Sequence, residues 1–510
     1  MNTFLNEMKN EANYTRTENG ALAHKSTLNS VYDMFALCGA YRNRSDEDCI
    51  LMFKNAFEED KNLGLKCLFY LADCRGGQGE RRFFRVCFKW LANKYPTIAA
   101  KNIELIPEFR RYDDILYSCI DTPVEEAALD FIKKQLNLDI ECKTPSLLAK
   151  WLPSENASSA ETKRMGNIVR EYLGLTHKQY RKVLSELRSR INIVEKLMSE
   201  NRWEEIEFDK IPSKAGLIYK NAFARRDIIA KKYEEFAKDE NTTVNAATLY
   251  PYEVVAKATE SCSFWGSSEL SDTDRAIIEK YWNNLKDYFD GKQSNMLCVV
   301  DTSGSMTGDK ASAPINVAIS LGMYCAERAG GPFKDHYISF SSRPELIHIK
   351  GVDFVDKVRR IYRTNLCENT DLTGTFDMLL DIADHPATKE EDIPETICVI
   401  SDMEIDSMSN WSSKDEDSSR IMSSWGREWK SAKTEMEKIR QKWARHGHKL
   451  PKLVYWNVDA RNNTILDNGP DITYVSGMSP VIFEAVLTGK TGWDLCLEKL
   501  LSKRYEQVTA

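Results

Sequence analysis

The sequence predicts an α domain followed by an α/β domain. Residues 1–290 read as a scaffold of paired helices, and residues 291–510 as a doubly wound domain with a parallel sheet. Three observations predict this. Before about residue 290, apolar residues recur at helical spacing. After it, wholly apolar strand-length runs alternate with helical stretches. Asp301 and Asp402 both sit where such a buried run ends.

In YRKVLSELRSRI (180–191), Tyr180, Val183, Leu184, Leu187 and Ile191 form the stripe of an amphipathic helix. Phe83, Phe84, Cys87 and Leu91 repeat it in 80–91. Further helices are expected at 46–58, 61–73, 124–136, 187–201 and 219–237, with no convincing strand. The pattern is that of an α-solenoid without an exact sequence period.

The second half opens on MLCVVD (296–301), an apolar strand, then a helix over 313–330. YISFS (337–341) and LIHIK (346–350) read as strands, 376–383 as a helix and TICVISD (396–402) as another buried strand. A long helix over roughly 425–446 precedes the strands LVYWNVD (453–459) and ITYVSG (472–477). Apolar strands between helices indicate a parallel sheet covered on both faces. Ligands of such sheets bind beyond the carboxyl ends of the strands, where Asp301 and Asp402 fall.

The composition, 42% hydrophobic and 29% charged, is that of a soluble globular protein. No run approaches the roughly 18 apolar residues of a membrane span. The first 20 residues lack a signal peptide's apolar region, so a cytoplasmic location is expected. Thirteen cysteines are scattered singly with no CxxC pair, which suits buried, reduced thiols. The net charge is −7, with neither half basic, so any nucleic-acid surface must be local.

In DTSGS, Asp301, Ser303 and Ser305 are spaced by two, so their oxygens can point the same way. One carboxylate and two hydroxyls make a hard oxygen site, suited to Mg²⁺ or Mn²⁺ and poorly suited to zinc. Thr370 and Asp402, in later strand-end loops, can supply more oxygens. The plainer alternative is that the hydroxyls cap the following helix. Catalytic readings fare worse. Ser303 stands where a haloacid-dehalogenase-like phosphatase needs its second aspartate. There is no GxxxxGK[ST], no GxSxG around these serines and no HExxH, so an enzyme is not expected.

These five residues resemble the metal-ion-dependent adhesion site (MIDAS) of von Willebrand factor A (vWA) domains, which are Rossmann-like. The resemblance implies Asp301, Ser303, Ser305, Thr370 and Asp402 as ligands, with Asp371 either a neighbour of the site or a helix cap. It also implies binding rather than catalysis, with a partner's acidic residue completing the coordination.

In the first half, TENGALAHKST (17–27), LKCLFYLADCRGGQGERRFFR (65–85), PEFRRYDDIL (107–116), LLAKWLPSENAS (147–158) and 178–215 have a specific look. With the vWA half they resemble a family from phages, bacteria, fungi, plants and large viruses whose defining domain is of unknown function. The layout is also similar to the TROVE-domain Ro ribonucleoproteins. That resemblance implies a HEAT-like helical scaffold binding small noncoding RNA.

RGGQGER (75–81) reads first as an interhelical turn and second as a phosphate-contacting loop. Basic stripes are the local signal for RNA. They are Arg81, Arg85 and Lys89; Lys178, Arg181, Lys182, Arg188 and Arg190; and Lys220, Arg225, Arg226, Lys231 and Lys232. Each stripe alone reads equally as a solvated helix face. Arg110, Arg111, Asp113 and Asp114 read as a salt-bridge cluster.

Two functions follow as expectations. The first is an RNA-binding, Ro-like ribonucleoprotein component, with small RNA on the helical domain and a divalent cation and partner on the vWA domain. The alternative is a protein-interaction scaffold that grips an acidic partner residue through the metal site, without RNA.

Overall fold

The computed structural model describes residues 8–9, 12–191, 193–259, 269–308, 312–340, 344–363, 372–405, 434–469, 471–487 and 489–510. The chain forms two compact units that interleave in sequence. One comprises 1–44, 250–269 and 287–498; the other comprises 45–249, 270–286 and 499–510. A single division at residue 290 therefore does not separate them. The amino-terminal 44 residues fold with the sheet, and the last twelve fold with the helices.

The α/β unit opens with a hairpin that has no counterpart in the sequence reading, β1 (Tyr14–Arg16) and β2 (Leu22–His24). Three-residue strands are too short to alternate legibly. This hairpin persists because it docks: the His24 and Ile465 main chains exchange bonds of 2.7 and 3.0 Å. The main sheet follows as β3 (Met296–Asp301), β4 (His336–Phe340), β5 (Glu345–His348), β6 (Thr396–Ser401), β7 (Lys452–Asn457) and β8 (Ile472–Ser476). Its order is β5-β4-β3-β6-β7-β8. All neighbours are parallel except β4 and β5. Only four residues join that pair, too few for a crossover, so β5 must return antiparallel. The edge thus departs from the expected all-parallel sheet.

Chain order reverses between β3 and β6, which makes their carboxyl ends the topological switch point. Helix Pro314–Arg328 lies on β3, β4 and β6, and helix Ser30–Leu37 on β8. A Cβ at Gly322 would meet Val300 Cγ2 at 2.4 Å. Gly322→Ala should therefore cost about 1–3 kcal/mol by overpacking, read in urea unfolding. The described cysteines are free thiols, buried except for Cys74 and Cys142.

In the helical unit the expected periodicity holds for Asp46–Glu59, Lys61–Ala72, Arg81–Lys94, Glu125–Glu141 and His177–Ile191. Asp60 separates the first two helices alone. Its N–H bonds back to Ala56 O and its side chain caps Leu63 N at 2.8 Å. Two expected helices are divided. Residues 187–201 split between His177–Ile191 and Val194–Ser199, and 219–237 between Ser213–Arg225 and Asp227–Lys238. The second break, at Arg226, lets Phe223 and Tyr233 both pack on Phe208, with ring centroids 5.5 and 4.9 Å away.

The RGGQGER loop is a structural turn. Three of its amides bond back to the end of the preceding helix: Gln78 N–H to Tyr70 O, Gly79 N–H to Asp73 O and Glu80 N–H to Leu71 O. A Cβ on Gly77 would lie 1.8 Å from Tyr70 O, so only glycine fits. Asp73, fully buried, receives Arg504 Nε and Nη2, the Tyr505 hydroxyl and Arg75 N–H. The turn thus seats residues 499–510.

Candidate metal centre

Asp301 ends β3 and Asp402 follows β6, on adjacent strands at the switch point. Both carboxylates are buried, at 0% and 1% exposure. Asp301 Oδ1 accepts the Ser303 N–H at 2.9 Å, which folds the DTS segment back over the acid. Asp301 Oδ2 accepts the Ser401 hydroxyl at 2.6 Å. The Ser303 and Ser305 hydroxyl oxygens are 3.0 Å apart, with Ser303 buried and Ser305 exposed. Burial pushes the Asp301 carboxyl up from its ordinary value, and the nearby Asp402 adds to this.

The helix-capping alternative fails on geometry. Ser303 precedes the short turn Gly304–Met306 without a side-chain cap bond, and Ala313 is the N-cap of helix Pro314–Arg328. Thr370 and Asp371 lie outside the described residues. Among the described residues no group of three His, Cys, Asp or Glu side chains could hold a metal ion. The donor set here has two acids and otherwise hydroxyls. Burial first and Asp402 second disfavour the charge on Asp301, and hard oxygens suit Mg²⁺ or Mn²⁺. The residues present fit such an ion.

Sequence reasoning missed the surroundings of Asp402. Its Oδ2 accepts Arg461 Nη2 at 2.6 Å and its Oδ1 the Glu404 N–H at 3.1 Å. Ser401 was missed too, although its place beside Asp402 at a strand end was visible.

Most basic side chains expected at an RNA surface are committed elsewhere. Arg81 and Arg85 both grip Asp113 and Asp114; Arg81 Nε lies 3.0 Å from Asp114 and Arg85 Nη2 3.1 Å from Asp113. Arg110 Nε adds a contact to Asp114 at 3.3 Å. Burial pushes the Asp114 carboxyl up, but Arg110, Arg85 and Arg81 outweigh it and hold it below the usual range. Lys220 pairs with Asp274, while Arg188, Arg190 and Lys232 donate to main-chain carbonyls. Arg226 stacks on Trp203 and Lys89 lies 3.9 Å from Asp121. Lys178, Arg181, Lys182 and Arg225 are exposed. Among the described residues, no helix is long and apolar enough to cross a membrane.

Residues 295–506 match a domain of unknown function (DUF7788), and residues 17–113 and 141–292 match a second one (DUF2828). An uncharacterized protein of Acanthamoeba polyphaga mimivirus is 27% identical over 523 residues, spanning 94% of this chain and 85% of that one. The crystal structure of the Deinococcus radiodurans RO (RSR) protein resembles this chain with a TM-score of 0.50 and 13% identity, over 91% of this chain and 100% of that one. The likeness is one of fold: a helix-rich region followed by a mixed β-sheet domain. Two domains of unknown function thus account for most of the chain, and its overall fold resembles that of the RO (RSR) protein.

Proposed function

We propose that this protein is a non-catalytic scaffold that grips an acidic residue of a protein partner through a divalent cation. Asp301, Ser303, Ser305 and Asp402 would hold Mg²⁺ or Mn²⁺, with Thr370 as a further ligand. When bound, the ion would offer an open coordination position to a carboxylate. The observation that carries this reading is the pair of buried carboxylates at adjacent strand ends, with two hydroxyls 3.0 Å apart beside them. Ser401 and the Ser303 amide orient Asp301, while Arg461 and the Glu404 amide orient Asp402. Mn²⁺ titration tests it: the wild type should bind one ion and Ser303→Ala should bind it weakly. Equal binding by both would sink the reading. A partner recovered with Mg²⁺ should be lost with EDTA.

A second reading is favoured by one feature. Lys178, Arg181 and Lys182 are exposed within one helical turn of each other, and Arg225 is exposed as well. They support small RNA on the helical unit, as the Ro resemblance implies. Changing Lys182 to Glu should then weaken RNA binding and lower its salt dependence by about one charge in a gel-shift series. Arg85→Glu should instead destabilise the helical unit, because it sets an acid against buried Asp114.

A further inference from the structure

The turn Thr17–Gly20 of the TENG motif sits on the loop that carries Asp402. Thr17 Oγ donates to Ile405 O at 2.7 Å, and Asn19 Nδ2 donates to Glu404 O at 2.7 Å. The Glu18 N–H donates to the Glu404 carboxylate at 2.6 Å. Between them, Met403 is buried with φ of 65°, a conformation that non-glycine residues seldom adopt. These three contacts hold the loop in it.

Arg461 joins this turn to the site. One arm, Nη2, lies on Asp402 Oδ2 at 2.6 Å; the other, Nη1, lies on Glu18 Oε2 at 2.8 Å. Its Nε is buried without a partner among the described residues. Asn462 Nδ2 supports the same turn, at 3.2 Å from Glu18 Oε1 and 3.0 Å from Glu404 Oε1. Asp402 is 1% exposed and Glu18 45%, so one guanidinium is shared between a buried and a half-exposed acid.

A guanidinium on Asp402 and a divalent ion at the same carboxylate are alternative counter-charges. They repel each other strongly where water is excluded. Any acid that draws the guanidinium away from Asp402 therefore favours the ion. We propose that Arg461 is a tethered counter-cation that sets the affinity of the strand-end site for its divalent ion, and that Glu18 positions it by competing with Asp402. This rests on the cation reading above. It makes Arg461 and Glu18 positioning residues that act in opposite directions. Removing Arg461 tightens ion binding. Removing the Glu18 charge weakens it, and does so only through Arg461.

The test is Mn²⁺ titration of the full chain, followed by the free-ion EPR signal at fixed ionic strength. Arg461→Met is expected to bind about tenfold more tightly than wild type. Glu18→Gln should bind about threefold more weakly. In the double variant the Glu18→Gln effect should vanish, whereas a simple long-range effect of the Glu18 charge would persist there. Unchanged or weaker binding by folded Arg461→Met overturns the proposal, as does an equal Glu18→Gln effect in both backgrounds. If Arg461→Met does not fold, Arg461→Lys replaces it, since an ammonium cannot span both acids. The Glu18→Gln effect should shrink in that background, and its persistence overturns the proposal. Asp301→Ala separates the two readings. If it binds Mn²⁺ like wild type, both fall; if it alone loses the ion while Arg461→Met changes nothing, only the present one falls.

Discussion

Asp301→Asn is expected to stabilise the protein in EDTA and to abolish its stabilisation by Mg²⁺. Asp301 is buried beside Asp402, and the carboxyl lies above its ordinary value because burial, then Asp402, disfavours its charge. A carboxyl raised in the folded state costs stability once pH exceeds its unfolded value, about 4. At neutral pH the asparagine should therefore gain about 1–3 kcal/mol, after allowing for a weakened bond from the Ser303 amide or Ser401. Below about pH 4 the two proteins should converge. A hundredfold excess of Mg²⁺ over its Kd should add about 2.7 kcal/mol to the wild type and nothing to the variant. Denaturant melts in EDTA and in Mg²⁺ should thus reverse the order of stability. A variant less stable than wild type in EDTA would refute the account of buried repulsion.

In the helical unit, Arg504→Met is expected to cost about 3–5 kcal/mol, and Asp73→Ala less. The naive expectation is the reverse, because Asp73 makes more bonds. Asp73 is fully buried, so losing Arg504 strands a charge that water cannot reach. Losing Asp73 leaves Arg504 with 39% of its side chain exposed, able to turn outward. The double variant should be no worse than Arg504→Met alone, since the pair then leaves no uncompensated charge. Urea unfolding of the three variants decides this; a larger loss for Asp73→Ala would show that solvation of the stranded charge does not set the order. Gly77→Ala, with its Cβ against Tyr70 O, should disturb the same turn.

Local pattern was enough for much of the chain. Strands β3, β6, β7 and β8 are short apolar runs, and burial on both faces made them legible. Asp301 and Asp402 followed from those runs, because a buried strand that ends in an acid needs a use for it. The β1–β2 hairpin was not legible, since its stability comes from docking at Ile465 rather than from its own six strand residues. Nor was the seating of residues 499–510 on the RGGQGER turn, which joins positions more than 400 residues apart.

The partner of each charged side chain was the least legible feature. Arg81 and Arg85 read as a solvated stripe, and their spacing was compatible with phosphates. Their burial of Asp113 and Asp114 depends on how helix Arg81–Lys94 packs against Asp113–Cys119. Glu18, 443 positions from Arg461 in the chain, bears on Asp402 only because the hairpin docks there. Periodicity and apolar runs act over a few residues, so the strands, the main helices and the acids at the strand ends could be read from the chain itself. Charges find one another across space, and which of them meet was decided only by the packing of distant elements.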